Sequence, residues 1–188
     1  MTVKETALDF IADLLFEASI LKEIGRSGFT FLGAGKESVA EHCYLTTFIA
    51  FVLSQLLPQA DGRRLLSMCL LHDLPEARTG DLNYVQKQYV STDEKKAIED
   101  MVWQLPFPET IRSLLSEYRE KHTLESHLAH DADQLSLLLT LKVLKDMGNP
   151  QADDWIETVK ERLGTQKGRE LGDAILSANK DRWWRRAL

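Results

Sequence analysis

The dipeptide His72-Asp73 is the point in this sequence where residue types and spacing most clearly indicate chemistry. It closes the apolar run from Leu65 to Leu71, and two further carboxylates, Glu76 and Asp81, follow it closely. Imidazole and carboxylate together suit a divalent cation of borderline hardness. A packed helix end would hold such ligands rigidly, so the pattern predicts a metal site here.

Two residues from other predicted helices can complete this site. His42 lies in the first turn of one helix, and Asp133 follows Ala132 on the apolar side of another. A carboxylate so close to a core face is costly unless it is paired or bound to metal. Two imidazoles and two carboxylates from three packed helices leave open positions on a cation for water or substrate. The predicted metal ligands are His42, His72, Asp73 and Asp133.

Each of these residues, taken singly, also has a purely structural explanation. Asp73 can cap the turn that follows it, His42 can bond to a neighbour at its helix start, and Asp133 can border the core and reach solvent. The chain contains a second pair with the same letters, His130-Asp131, which we predict on a solvated helix face. His127 and His130, three residues apart, form a weaker alternative metal pair.

Helical periodicity runs through the whole chain, whereas strand signals are scarce. Local signals mark the ends of several helices. Helix starts are indicated by capping boxes at Ser38 and Ser91, by a cap at Asp61 and by Pro108, and helix ends by Pro58 and Pro75. No repeat or linker interrupts the pattern, which predicts a single all-α domain over residues 1–188. The predicted helices are approximately 3–21, 39–57, 61–72, 91–105, 108–122, 124–147, 153–163 and 167–184.

Composition restricts the classes of function. The 188 residues include 29 acidic and 23 basic side chains, for a formal charge of −6, which argues against a broad nucleic-acid surface but allows a small anionic ligand. Cys43 and Cys69 lie in apolar helical patterns without metal or redox spacing, so we expect two buried thiols and a reducing, cytoplasmic location. We see no signal peptide, and no apolar run that approaches a membrane span.

The ordered set of motifs resembles the HD-domain metal-dependent phosphohydrolase superfamily. Its signature is a His, then His-Asp, then a distant Asp. The match narrows further to the small HD-domain 5′-nucleotidases that act on deoxyribonucleoside monophosphates. The resemblance implies an HD-type helical bundle, with the signature in residues 21–147 and further helices over 153–188, and it implies a homodimer. It rests on Ser38-Val39-Ala40-Glu41-His42, His72-Asp73-Leu74-Pro75-Glu76, Thr79-Gly80-Asp81 and Ala132-Asp133.

The resemblance also implies roles for individual residues. The two His and two Asp match the family's ligands for one divalent ion, which the donor set leaves open among Mn, Co, Fe, Ni, Zn and Mg. Glu76 matches the carboxylate that orients or deprotonates the attacking water, and Asp81 a carboxylate proposed to protonate the leaving 5′-oxygen. Arg26 matches the arginine that contacts the substrate phosphate. Ser27 stands where some relatives have a Trp that selects against the ribose 2′-hydroxyl, and Phe29 follows two residues later.

These expectations define three hypotheses. The leading one is a phosphomonoesterase that hydrolyses nucleoside 5′-monophosphates, with no stable nucleic-acid or membrane partner. The second is a hydrolase of nucleoside triphosphates, alarmones or cyclic nucleotides, although the chain offers little extra basic surface for several phosphates. The third is a non-catalytic nucleotide-binding module that keeps the metal as a structural staple. A staple needs only the ligands, so Glu76 and Asp81 argue against it.

Overall fold

The structure is a computed structural model that describes residues 5–186. Its described part is all-α, as predicted, and contains no β-strand beyond one isolated bridge between Gly25 and Ser38. Val3 and Lys4, where the first helix is predicted to begin, lie outside the described residues. The α-helices are α1 Ala7–Ile20, α2 Phe29–Leu32, α3 Val39–Leu56, α4 Gly62–Leu71, α5 Glu76–Thr79, α6 Glu94–Val102, α7 Pro108–Glu120, α8 Leu124–Asp146, α9 Ala152–Arg162, α10 Gln166–Ser177 and α11 Arg182–Arg185, and a 3₁₀ turn spans Gln86–Gln88.

The helices that carry the predicted ligands begin and end where local sequence signals place them. The Ser38 side chain accepts a hydrogen bond from the Glu41 amide, and the Glu41 carboxylate returns to the Ser38 amide, so the capping box that opens α3 is confirmed. The Asp61 side chain caps α4, which ends at Leu71 with His72 as its C-cap. The long helix α8 ends before Gly148, whose φ of 89° is readily adopted only by glycine.

Two predicted boundaries are wrong. The N-cap of α6 is Asp93, whose carboxylate accepts from the Lys96 amide, so no capping box forms at Ser91. The last predicted helix, 167–184, is divided into α10 and α11, because Ala178 takes an extended conformation with φ −74° and ψ 144°. The short helices α2 and α5 lie in segments predicted as loops; one turn forms where glycine or proline punctuates the chain.

Helix α8 lies at the centre of the bundle and packs against α3, α4, α7, α9 and α10. The apolar residues form two clusters, one around α8 and another between the start of α3 and helices α6 and α7. Helix α3 is long and apolar enough to cross a membrane by length and composition, contrary to our expectation that no run approaches that length. Its inner face, which includes buried His42 and Thr46, packs against α4 and α8, an arrangement also typical of a core helix.

Candidate functional site

The four predicted metal ligands lie together where α3, the end of α4 and the middle of α8 meet. The Nε2 atom of His42 lies 3.0 Å from Asp133 Oδ1 and 3.3 Å from His72 Nε2. The Oδ2 atom of Asp73 is 3.2 Å from His72 Nε2 and 3.6 Å from His42 Nε2. Donor atoms from residues far apart in sequence thus surround one small volume.

The second nitrogen of each imidazole is held by a neighbour, which turns Nε2 toward that volume. His72 Nδ1 lies 2.8 Å from the Cys69 carbonyl oxygen, which can only accept, so Nδ1 carries the proton and Nε2 is free to act as a ligand. His42 Nδ1 lies 3.3 Å from the Ser136 hydroxyl. The Gln134 side-chain amide donates to Asp133 Oδ2 over 2.8 Å, which orients the carboxylate. Sequence reasoning did not single out Ser136 or Gln134, although both lie within three residues of Asp133 on α8.

The electrostatics of these groups suit a cation. Burial acts to raise the pKa of Asp133, but the hydrogen bond and charge of His42 outweigh it and hold that pKa well below its usual range. Burial acts to lower the pKa of His72, but the neighbouring Asp73 and Asp133 carboxylates raise it to about 9. The site therefore attracts positive charge, which protons supply in the absence of a metal ion.

The donor set fits a divalent ion. One potential ligand atom each from His42, His72 and Asp133 lies within 4.8 Å of the other two. Ligands that bind Zn²⁺ tetrahedrally at about 2.0–2.1 Å are separated by about 3.3–3.4 Å, close to the distances seen here. Cys43 is buried, as predicted, and forms a second group of this kind with His72 and Asp73. Burial raises the pKa of the Cys43 thiol, so it is a poor ligand, and the imidazole and carboxylate set is the better candidate.

The three residues predicted to act on substrate lie beside this cluster. Arg26 Nη1 donates to Asp73 Oδ2 over 3.2 Å. Burial and the negative charges of Asp73 and Asp81 raise the pKa of Glu76 to about 8, and its Oε2 atom is buried without a hydrogen-bond partner among the described residues. Asp81 Oδ2 accepts from the backbone amide of Ser27 over 2.6 Å and from its hydroxyl over 3.2 Å. Ser27 therefore positions the Asp81 carboxylate.

Two cavities, a smaller and a larger one that share Lys87, adjoin the cluster, and Arg26 also lines a separate groove of about 990 Å³ together with Glu23, Glu37 and Glu41. The smaller cavity, of about 320 Å³, is lined by His72, Asp73 and Glu76. The larger cavity, of about 500 Å³, is lined by Arg26 and Asp81. A ligand can thus occupy the larger cavity while an anionic group at its end contacts Arg26.

The second pair, His130-Asp131, does not lie on a solvated face as predicted. Asp131 is 1% exposed, and its carboxylate accepts from the Gly164 and Thr165 amides and from the Thr165 hydroxyl. It caps the turn between α9 and α10, which folds back over α8. His130 is partly buried and lies 2.7 Å from the Tyr118 carbonyl oxygen through Nε2. Neither residue is part of the ligand cluster, and His127 is exposed.

Tyr118 is a neighbour of the site that sequence reasoning missed. Its ring stacks on His130 with centroids 4.0 Å apart and lies 5.2 Å from the His72 ring. It supports the His72 imidazole from the α7 side. No local signal indicates this contact, because it depends on how α7 packs against α4 and α8.

Comparison with known proteins identifies the family and similar folds. The model of a family described as HD domain matches residues 18–173. No curated protein matches the chain. A conserved hypothetical protein from Pyrococcus furiosus is 29% identical with a TM-score of 0.72, over 87% of this chain and 98% of that one.

Two solved structures with lower sequence identity share the fold. A predicted metal-dependent phosphohydrolase from Magnetospirillum magnetotacticum is 22% identical with a TM-score of 0.72, over 97% of this chain and 95% of that one. The cyanophage S-2L HD phosphohydrolase DatZ, bound to dA and one catalytic Zn²⁺ ion, is 20% identical with a TM-score of 0.54, over 94% of each chain.

Proposed function

The chain belongs to the HD domain family, whose members include metal-dependent phosphohydrolases, and from this premise we propose that it hydrolyses nucleoside 5′-monophosphates, with deoxyribonucleotides preferred. The products are a nucleoside and inorganic phosphate. The two His and two Asp of the cluster hold one divalent ion, which supplies Lewis acidity toward the phosphoryl group when bound. Its identity among Mn, Co, Fe, Ni, Zn and Mg is open.

The residues around the cluster have distinct tasks in this proposal. The Arg26 guanidinium binds the phosphate oxygens and neutralises charge as the bond to the leaving oxygen breaks. Glu76 accepts the proton of the attacking water through its unpartnered Oε2 atom. Asp81, held by Ser27, lines the larger cavity and passes a proton taken up from solvent to the leaving 5′-oxygen, while Glu76 keeps the proton removed from the attacking water.

The position of Arg26 is the observation that carries the proposal. Its guanidinium contacts the ligand cluster through Asp73 and also lines the 500 Å³ cavity. A phosphate bound by Arg26 would therefore adjoin both the cluster and a cavity large enough for a nucleoside. The remaining cavity residues combine the aromatic surface of a small-molecule site with several polar and charged side chains, among them Asn83, Lys87 and Arg162.

The second hypothesis, a substrate with several phosphates, gains support from two basic side chains. Lys87 and Arg162 line the same cavity as Arg26, and neither forms an ion pair within residues 5–186. They could bind further phosphate groups. The non-catalytic hypothesis is weakened by Glu76, because its Oε2 atom is buried without a hydrogen-bond partner among the described residues, which is costly unless the group has a chemical task.

A phosphate-release assay tests the proposal. The purified protein is assayed with each candidate divalent ion against ribo- and deoxyribonucleoside 5′-monophosphates, the matching triphosphates and cyclic nucleotides. We expect turnover of monophosphates, and a loss of at least 100-fold in kcat/KM in Arg26→Ala. Exposed Arg63, which also lacks an ion pair in the described part of the chain, provides the control Arg63→Ala. No phosphate release from any monophosphate with any ion would reject the proposal.

We also propose a cytoplasmic homodimer. Helix α3 exposes an uncharged aromatic stripe of Tyr44, Phe48 and Phe51, and α1 exposes Leu8, Leu15 and Phe16. Apolar surface of this kind is typical of interfaces. The two free thiols, Cys43 and Cys69, are compatible with a reducing compartment. Light scattering coupled to size exclusion tests the dimer, and a monomeric mass at micromolar concentration would contradict it.

A further inference from the structure

The larger cavity has a wall that none of the recognised motif residues forms. Four residues of α9, spaced by three, one and three positions, lie on one helix face that lines it: Trp155, Thr158, Val159 and Arg162. Arg26 and Asp81 line the same cavity. Because Arg26 Nη1 contacts Asp73, Arg26 and Asp81 mark the end of the cavity that is nearest the ligand cluster. A nucleotide whose phosphate lies at that end would extend its nucleoside along α9.

Four aromatic side chains line this cavity: Phe29, Phe31, Tyr84 and Trp155. The indole of Trp155 covers Gly28, where an added Cβ would lie 3.5 Å from its Cη2 atom. The rings of Phe31 and Tyr84 are 5.8 Å apart between centroids and inclined by 50°, and both are exposed. The exposed rings and the half-buried indole offer flat apolar surface next to a phosphate-binding arginine. Such surfaces bind nucleobases because every base has a π-face.

The position of Trp155 differs from that of the chain's other tryptophans. Trp103 and Trp183 are 67% and 79% exposed and lie outside the cavity, and Trp184 bonds to Asp181 at the C-terminal end. Trp155 instead packs partly against the main core cluster, which fixes its plane, while one part of the ring faces the cavity. A rigid, partly buried ring is suited to stacking because little rotamer freedom remains to be lost on binding.

We propose that α9 is the base-recognition wall of the site, with Trp155 as the surface on which the nucleobase stacks. The proposal rests on the proposed function only in taking a nucleotide as the ligand. Trp155 is a substrate-positioning residue and takes no part in bond breaking. Arg162, on the same helix face, lines the cavity and supplies hydrogen-bond donors, whereas the Thr158 hydroxyl already donates to the Asp154 carbonyl oxygen and offers the cavity an acceptor.

A comparison of substrates with and without a base tests this role. We expect Trp155→Ala to raise KM for the best nucleoside monophosphate by about 10-fold or more, as loss of a base–aromatic stack does. Deoxyribose 5-phosphate has no base, so the variant's kcat/KM for the nucleotide, divided by its kcat/KM for deoxyribose 5-phosphate, should fall by a similar factor. Trp155→Phe keeps an aromatic surface and should retain most of the ratio. Equal losses on both substrates would show a structural role and overturn the proposal.

Fluorescence supplies a readout that does not need turnover. In a Glu76→Gln background with divalent ion, each of the four common deoxyribonucleoside monophosphates is titrated while tryptophan emission is recorded. We expect quenching that disappears in Trp155→Phe and persists in Trp103→Phe. Quenching that survives in Trp155→Phe, or no quenching with any nucleotide, contradicts the proposal.

The two proposals can fail separately. Trp155-dependent quenching without phosphate release would reject the monophosphatase and keep the base wall. Phosphate release with an unchanged substrate ratio in Trp155→Ala would keep the monophosphatase and reject the base-recognition wall. Thermal unfolding of Trp155→Ala distinguishes a lost stack from a lost fold, and if Trp155→Ala is unstable the fluorescence titration of Trp155→Phe carries the test.

Discussion

The imidazoles of His42 and His72, thirty residues apart in sequence, face each other with their Nε2 atoms 3.3 Å apart. Each ring is buried, and its Nδ1 atom lies against a separate partner, the Ser136 hydroxyl or the Cys69 carbonyl. Two imidazole nitrogens in this position gain little from each other unless a proton or a cation lies between them. The carboxylates of Asp73 and Asp133 close the same space.

Asp133→Ala should abolish metal retention. The substitution removes a ligand whose oxygen lies 3.0 Å from His42 Nε2, and it leaves two buried imidazoles that would repel each other when protonated. We expect at most a tenth of the wild-type metal content by elemental analysis after gel filtration. Asp173→Asn, an exposed carboxylate on α10, is the matched control and should keep full content.

Metal affinity should rise with pH until about pH 9. In the metal-free protein His72 has a pKa raised to about 9, so below that pH a metal ion must displace its proton. Because the folded pKa exceeds the ordinary value of 6.5, the proton on His72 stabilises the metal-free fold at low pH, and this contribution is lost as pH rises through about 9. Calorimetry in two buffers of different ionisation enthalpy measures the proton release. Binding at pH 7 without proton release would contradict the prediction.

Glu76→Gln should separate metal binding from turnover. Glutamine keeps the shape of the side chain and cannot accept the proton of the attacking water, so we expect kcat to fall by about 100-fold or more. Metal content should remain within experimental error of wild type, because Glu76 lies outside the ligand cluster. Exposed Glu161 provides the control Glu161→Gln. Full activity in Glu76→Gln would rule out its role as the base.

Asp131→Ala should destabilise the fold without removing a predicted ligand. Three donors of Gly164 and Thr165 lose their acceptor, and two of them are backbone amides at the start of α10. We expect the free energy of unfolding in urea to fall by about 2–3 kcal/mol. His127→Ala, on the exposed face of the same helix, should change it by less than about 0.5 kcal/mol. A stable Asp131→Ala protein that had lost its metal would instead indicate a role in the site.

Much of the site's framework could be predicted because its signals are local. Helix caps form between residues three positions apart, so Ser38 and Asp61 indicate where α3 and α4 begin, without knowledge of the rest of the fold. Pro75 and the apolar run before His72 likewise indicate a helix end. The same reasoning failed at Ser91, because Asp93 competes for the same role with an equally suitable side chain.

Sequence alone determined the all-α class, the main helices and the residue types able to bind a cation. The sequence already favoured His72-Asp73 over His130-Asp131 as ligands, but only the tertiary structure shows that the α9–α10 turn covers Asp131 and that α3 brings His42 to His72. The contacts of Tyr118 with His72, and of Trp155 with Gly28, join helices distant in sequence. Caps and periodicity depend on backbone bonds within one turn, whereas burial depends on which helix faces meet, and no local pattern records that.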